Sequence, residues 1–146
     1  MRLSTRSRYG MRILLQIALD NREGKLSRGK NISKKQDISE PYVEQIMIPL
    51  KSAGVVRTVR GCNGGYHLNR EPKDISVLEI IELFEGKLLL VDCSGTGTKE
   101  SCTRIKFCPT RTVWEKLSAV LSQAASGITL EDIIRDHNES GEEYTI

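Results

Sequence analysis

We expect a mainly α-helical protein with one small β-hairpin, and three features of the 146-residue sequence support this fold class. Apolar residues recur at helical spacing in several separate stretches. Residues 55–68 read instead as two short strands around a glycine-rich turn. Positive charge is concentrated in residues 1–70, which carry 14 Lys and Arg against 5 Asp and Glu, whereas residues 71–146 carry 8 against 14. The first half therefore suits a surface that binds a polyanion.

The first two predicted elements differ in how clearly the sequence marks them. Residues 5–21 have an apolar stripe at helical spacing with arginines along one flank, so we expect a core helix there. Residues 26–37 contain Gly29, Asn31 and Ser33, and helix propensity alone favours a loop. The elements that follow favour a short helix in this place instead.

The third helix is marked at both ends. Ser39 can cap its first turn, and Gly54 can follow its last. Pro49 lies inside it and removes one backbone hydrogen bond, which predicts a kink or an early end. The apolar residues that recur on one face of this helix are Val43, Ile46, Met47 and Leu50.

The hairpin completes a specific order of elements. A short helix, a turn, an amphipathic helix and a hairpin with a basic tip make up a winged helix-turn-helix. In that architecture the second helix enters the major groove of DNA, and the hairpin, or wing, touches phosphates or the minor groove. We therefore predict a winged helix-turn-helix DNA-binding domain over residues 1–86.

Two capping boxes mark the helices of the second half. Ser76 and Glu79 form the first, at the start of a helix over residues 74–86 that closes the core. Thr112 and Glu115 can form the second, which opens a long helix. These signals predict a mainly helical second half.

The long helix carries a nearly heptad apolar seam and should end at Gly127. We interpret the seam as the contact of a homodimer, because a small DNA-binding unit gains affinity by reading two half-sites. Packing against its own domain is the alternative. Residues 129–135 add a short helix and residues 139–146 a mobile acidic tail, so residues 111–146 form the dimerisation helix and tail. The seam consists of Val113, Trp114, Leu117, Val120, Leu121 and Ala124.

Three of the four cysteines lie in one loop within residues 87–110. The loop is rich in glycine, serine and threonine and cannot pack a core, so bonds to a metal or cluster would be needed to order it. Cys93, Cys102 and Cys108 are separated by eight and five residues, and soft thiolates suit an iron-sulfur cluster or zinc. The fourth, Cys62, lies at the hairpin tip, where we interpret it as a small turn residue.

Three stretches closely resemble the IscR/NsrR/CymR family of bacterial winged-helix regulators: residues 1–10 (MRLSTRSRYG), 38–45 (ISEPYVEQ) and 50–66 (LKSAGVVRTVRGCNGGY). The resemblance covers nearly the whole chain, and the three-cysteine loop is typical of members that carry an iron-sulfur cluster. It implies a homodimer, held by the long helix, that binds a roughly palindromic operator in double-stranded DNA. It also implies a repressor that senses iron-sulfur cluster status and controls iron-sulfur biogenesis genes.

The resemblance also assigns the DNA-binding residues by position. Hydroxyl, amide and carboxylate side chains on the recognition helix can read base edges, and an arginine at the wing suits the narrow minor groove. Neighbouring basic residues suit phosphates. The glutamate on the helix is also implied to bias which class of operator is accepted. The residues are Ser39, Tyr42, Glu44 and Gln45 on the helix, Lys51 and Arg57 at phosphates, and Arg60 at the wing.

The resemblance implies a 2Fe-2S cluster first and a 4Fe-4S cluster second. The family's ligand histidine, three residues after the last cysteine, is replaced here by Arg111, which cannot coordinate a cation. Other members use an acidic residue near the start of the first helix, where this chain has Arg8. The fourth ligand therefore stays open. The candidates are Asp92, Ser94, Glu100, Ser101 or a group from outside the chain.

Two other kinds of regulator stay open. The cysteines could hold a structural zinc or act as a thiol redox switch, or a partner protein could control the chain, as in cysteine-metabolism repressors. No stretch is long and apolar enough to span a membrane, so we expect a cytoplasmic protein, where thiols stay reduced. An enzyme is not expected, because no nucleophile has a spaced base and no loop can cradle a phosphate.

Overall fold

The computed structural model describes residues 2–94 and 102–140, and within them the elements follow the predicted winged helix-turn-helix order. The wing is formed by an antiparallel sheet of two strands. The helices are α1 (Thr5–Arg22), α2 (Gly29–Gln36), α3 (Glu40–Ser52), α4 (Val77–Glu85), α5 (Arg111–Ser126) and α6 (Leu130–Ser140). The strands are β1 (Val56–Val59) and β2 (Gly65–Leu68), and short 3-10 helices lie at Pro72–Asp74 and Asp92–Ser94.

One apolar core joins both halves of the chain. α1 runs along this core, and its residues Ile13 and Ile17 are completely buried there. Leu130 and Ile134 of α6 belong to the same buried cluster, so the last helix returns to the winged domain. The main-chain N–H of Leu130 donates to the carbonyl of Ile75 at 2.9 Å, which fastens this return.

α2 shows how packing overrides local propensity. It forms at Gly29–Gln36, where propensity alone favoured a loop. Ile32 is completely buried and anchors the helix in the core. Asp37 then adopts the left-handed conformation, with φ of 53°, and ends the helix. The short helix that the order of elements favoured is therefore confirmed.

α3, the helix of the predicted recognition motif, begins after Ser39 and ends shortly before Gly54, as the two end signals predicted. Ser39 occupies the N-cap position, although its side chain makes no capping hydrogen bond. Of the predicted kink or early end at Pro49, the early end is wrong, because the helix continues to Ser52, and the kink stays a prediction. Burial of the whole predicted apolar face on both sides of the proline compensates for the missing hydrogen bond.

The wing is a tight antiparallel hairpin in which Thr58 lies opposite Tyr66. Its turn needs Gly64, because a Cβ atom there would lie 2.2 Å from the carbonyl oxygen of Val59. The loop before α2 adds to the sheet, since Ser27 and Tyr66 exchange main-chain hydrogen bonds of 2.7 and 3.2 Å. The wing is thus tied to the helix-turn-helix by its backbone.

The two predicted capping boxes have different outcomes. The Ser76 hydroxyl accepts a hydrogen bond from the Glu79 N–H at 3.1 Å, as predicted, whereas the Glu79 carboxylate pairs with an arginine of the preceding loop. The box of Thr112 and Glu115 is wrong, because α5 already begins at Arg111. Glu115 instead forms an ion pair with Arg111 at 2.7 Å.

α5 is followed by Gly127, as predicted, and α6 is longer than predicted. α6 includes the first two residues of the expected mobile tail, Glu139 and Ser140, while residues 141–146 of that tail lie outside the described residues. Among the helices described, none is long and apolar enough to cross a membrane.

Candidate nucleic-acid interface and cysteine segment

The outer side of α3 carries the residues predicted to read DNA bases. Ser39, Glu44 and Gln45 are exposed on this side of the molecule. Tyr42 is half-buried, and its ring packs edge-on against Tyr9 of α1, with centroids 5.9 Å apart and planes at 82°. Tyr42 therefore has a packing role in addition to the predicted role in DNA reading.

Exposed cations lie on the elements next to this side of α3. Lys51 is in the last turn of α3, Arg57 is on β1 and Arg60 is at the wing tip, and all three are exposed. The Lys51 ammonium also lies 5.9 Å from the centroid of the Tyr66 ring. This placement suits phosphate contacts for the first two and a groove contact for Arg60.

Tyr66 of the wing is bonded to Glu44 of α3. Its hydroxyl donates to the Glu44 carboxylate at 2.8 Å. Burial, together with that carboxylate, raises the pKa of Tyr66, so the hydroxyl keeps its proton and remains a donor at neutral pH. One of the predicted base-reading residues is thus held by the wing.

Arg28 is a functional candidate that sequence reasoning missed. It precedes α2, and its guanidinium donates to the main-chain carbonyl of Cys62 at the wing tip, at 2.8 Å. Since 34 residues separate the two partners, no local pattern could reveal the bond. Cys62 is exposed, and its main-chain carbonyl accepts this bond in the turn of the wing.

A polar network sets the position of α2 against α1. Asp20 is 7% exposed and accepts hydrogen bonds from the Ser27 hydroxyl at 2.6 Å and the Lys35 ammonium at 2.9 Å. Arg12 donates to the side chain and the main-chain carbonyl of Gln36, at 3.1 and 2.6 Å. Arg12, which the sequence placed on the basic flank, therefore joins two helices.

The cysteine segment, residues 87–110, is only partly described. Cys93 lies in the 3-10 helix Asp92–Ser94, and Cys102 and Cys108 lie in irregular backbone on either side of the turn residues 103–107. All three are half-buried free thiols. Residues 95–101, with the candidate ligands Glu100 and Ser101, lie outside the described residues. Among those described, no three His, Cys, Asp or Glu side chains are grouped to hold a metal ion, so the predicted convergence of the cysteines remains a prediction.

The chemistry of these donors nevertheless suits a metal or cluster. The Thr110 hydroxyl lies 3.1 Å from the Cys108 sulfur and lowers the pKa of this thiol, helped by the Arg111 N–H and the charge of Arg104. The thiolate is the form that binds metals. Arg111, at the family's histidine position, is engaged with Glu115 and offers no lone pair.

Ser118 connects the start of the cysteine segment to the middle of α5. It is 4% exposed, and its hydroxyl accepts a hydrogen bond from the Leu90 N–H at 3.1 Å. The Ser94 hydroxyl, next to Cys93, lies 3.4 Å from the same oxygen. The residues around Cys93 therefore rest directly on α5.

α5 presents an apolar face to solvent. Its large apolar side chains are 38–61% exposed, although the rest of the described chain buries most of its own. Such a face is typical of a protein–protein contact. The exposed residues are Val113, Trp114, Leu117, Val120 and Leu121, all members of the predicted seam.

The fold, the exposed recognition helix and the basic wing define the class of winged-helix DNA-binding proteins. A protein-family comparison matches residues 3–136 to Rrf2, described as an iron-dependent transcriptional regulator. The chain therefore belongs to the Rrf2 family of transcriptional regulators, and it is not an enzyme.

Relatives of known name and solved structures support the same family assignment. Protein rrf2 of Nitratidesulfovibrio vulgaris is 35% identical over 136 residues, which cover 93% of this chain and 89% of that protein. The HTH-type transcriptional regulator IscR of Photobacterium profundum is 36% identical over 138 residues, 94% of this chain and 78% of that protein.

Among solved structures, T. potens IscR has a TM-score of 0.74 and 34% identity, with 100% of this chain and 92% of that chain covered. CymR, the global cysteine regulator of B. subtilis, has a TM-score of 0.75 and 29% identity, with 92% and 97% covered. The predicted resemblance to IscR and CymR regulators is confirmed.

Proposed function

We propose that this regulator is a cytoplasmic homodimer that senses iron-sulfur cluster status and represses iron-sulfur biogenesis genes. The observation that carries the proposal is the contact of Ser118 with the residues around Cys93, because it places the cysteine segment directly on the helix with the exposed apolar face. The iron-dependent description of the family supports it.

Cys93, Cys102 and Cys108 are proposed to hold the group, a 2Fe-2S cluster in preference to a 4Fe-4S cluster. When bound, the cluster supplies an iron- and oxidant-sensitive centre that can be gained or lost. Thr110 favours cluster binding, because it lowers the pKa of the Cys108 thiol and the thiolate, which binds metals, therefore forms at a lower pH. Asp92 and Ser94 are described candidates for the fourth ligand and flank Cys93.

The apolar face of α5 is proposed to pair with the same face of a second copy. A two-fold dimer would present two α3 helices to the two halves of a roughly palindromic operator. In each half, Ser39, Tyr42 and Gln45 of the recognition helix read bases, and Glu44 of the same helix biases which operator is accepted. Lys51 and Arg57 bind phosphates, and Arg60 enters the minor groove. Ordering of the cysteine segment would then change how α5 sits against the winged domain and so change the preferred operator.

The experiment uses protein purified without oxygen. Iron and acid-labile sulfide are counted, the visible absorption is recorded, and operator binding is compared between wild type, Cys93→Ala and the control Cys62→Ala. We expect a coloured wild type and a coloured control, and a colourless Cys93→Ala with altered operator binding. A colourless wild type that binds DNA as Cys93→Ala does would contradict the proposal, and zinc without iron or sulfide would support a structural zinc site instead.

A further inference from the structure

Tyr66 lies between two neighbouring segments of the chain, and its main chain is bonded to one of them. It lies opposite Thr58 in the wing, and it exchanges two hydrogen bonds with Ser27 of the loop before α2. The residue is 7% exposed, so its ring is buried among these elements. A side chain fixed in this way can hold a partner in a defined position, because its own freedom is already lost.

The partner is the carboxylate of Glu44, and the structure leaves space for it. The Tyr66 hydroxyl donates to Glu44 Oε1 at 2.8 Å. The same oxygen lies 2.9 Å from the position where a Cβ atom of residue 29 would be, and this residue is Gly29. The carboxylate therefore leans towards the start of α2 and towards the wing.

Glu44 is thereby kept to one side of the recognition helix. Gln45 and Ile48 project from the side of α3 opposite to the buried Val43 and Met47, and Ile48 is 60% exposed. A carboxylate free to join them would lie among phosphates, which repel it, and near cytosine N4 amino groups, which donate to it. Where the carboxylate sits therefore affects both affinity and base preference.

We infer that Tyr66 is a positioning residue for operator choice, which holds the Glu44 carboxylate away from the DNA-facing side of α3. This inference rests on the proposed DNA-reading role of α3. Tyr66 itself need not touch DNA, because it acts through Glu44. Lys51, whose ammonium lies 5.9 Å from the Tyr66 ring centroid, remains on the same flank to meet a phosphate.

The test is a double-mutant cycle on a site selected by the protein itself. Wild type, Tyr66→Phe, Glu44→Ala and the double variant each select duplexes from a random-sequence library, and dissociation constants are measured for the wild-type consensus. Tyr66→Phe keeps the buried ring and removes the hydroxyl. The matched control is Tyr9→Phe, which removes a hydroxyl from a tyrosine of α1.

We expect Tyr66→Phe to weaken binding of the wild-type consensus about tenfold and to shift one position of each half-site towards cytosine. In the Glu44→Ala background the same change should alter affinity less than about twofold. Tyr9→Phe should keep the wild-type consensus. Equal losses in both backgrounds, or an unchanged consensus for Tyr66→Phe, would overturn the inference alone. A wild type that enriches no sequence would overturn the proposed DNA reading, and the inference with it.

Discussion

The winged domain and α5 place their apolar residues in opposite ways. In the winged domain, Ile13, Leu14 and Ile32 are completely buried, and α6 returns to cover the same core. In α5, Leu117 and Val120 are 45% and 61% exposed. The apolar core of the winged domain is covered within one chain, whereas α5 has an apolar face that a partner could cover. One chain thus combines a winged domain that buries its own core with a helix whose apolar face is suited to dimer formation.

The sharpest contrast should come from one substitution made in both regions. Leu14→Ala removes a completely buried side chain and should lower the free energy of unfolding by about 3 kcal/mol. Leu117→Ala, its matched control on α5, should cost less than about 1 kcal/mol in protein dilute enough to be monomeric. Urea unfolding followed by circular dichroism measures both. Similar losses would show that α5 is as much a part of the core as α1.

A charge on the apolar face of α5 should separate the copies without unfolding them. Val120→Asp would place a carboxylate in the proposed contact and should weaken self-association at least about thirtyfold, since an unpaired charge is costly to bury. Sedimentation equilibrium measures the association, and the circular dichroism spectrum should stay that of wild type. Gln123→Asp, an exposed change elsewhere on α5, is the control. Unaltered association of Val120→Asp would place the dimer contact elsewhere.

The polar network of the winged domain should also matter more than surface ion pairs. Asp20→Ala leaves the Ser27 hydroxyl and the Gln16 amide without their acceptor and should cost about 2 kcal/mol of unfolding free energy. Glu23→Ala removes an exposed pair with Lys25 and should leave the free energy of unfolding almost unchanged, because solvent screens this pair. Chemical denaturation of both variants checks this, and equal losses would contradict a structural role for the network.

A smaller effect is expected at the junction of the two regions. Ser118→Ala leaves the Leu90 N–H without its acceptor and should cost about 1 kcal/mol. If the junction relays the state of the cysteine segment, this variant should also reduce the difference in operator affinity between loaded and unloaded protein. Ser122→Ala, one turn further along α5, is the control. An undiminished difference in Ser118→Ala would remove the junction from the relay.

The smallest expected effect is on the titration of a single thiol. The Thr110 hydroxyl is the main cause of the lowered pKa of Cys108, so Thr110→Ala should raise this pKa. The thiolate would then form at a higher pH, and the pH at which Cys108 reaches half of its maximal alkylation rate should move upwards. Mass spectrometry of the Cys108 peptide in metal-free protein measures the rate. Thr112→Ala is the control, and an unmoved profile in Thr110→Ala would contradict the stated cause.

Sequence patterns predicted the elements whose signals are local. The apolar period of α1 and α3 and the glycine-rich turn of the wing all gave the right type of structure. α2 was ambiguous, because its helix depends on burial of Ile32 by other elements, which no local propensity reports. The capping box at Thr112 failed because a tight local motif fits more than one starting residue, and α5 begins at Arg111.

In the candidate site, too, the features set by local patterns could be predicted, and those set by packing between distant residues could not. The exposure of Ser39, Gln45 and Arg60 follows from helix and hairpin periodicity. The bond between Tyr66 and Glu44 joins residues 22 positions apart, so it depends on how the wing packs against α3. Cysteine spacing indicates suitable donors, but it does not determine how a long glycine-rich loop arranges them in space.

Cluster sensing is tested most directly by the operator affinity of one anaerobic preparation before and after its metal is removed by a chelator. Wild type should change its operator affinity when iron and sulfide are lost. A variant with Cys93, Cys102 and Cys108 all replaced by serine should bind with one affinity throughout. An identical affinity of the wild type before and after the loss of its iron would contradict the proposal that this regulator senses an iron-sulfur cluster.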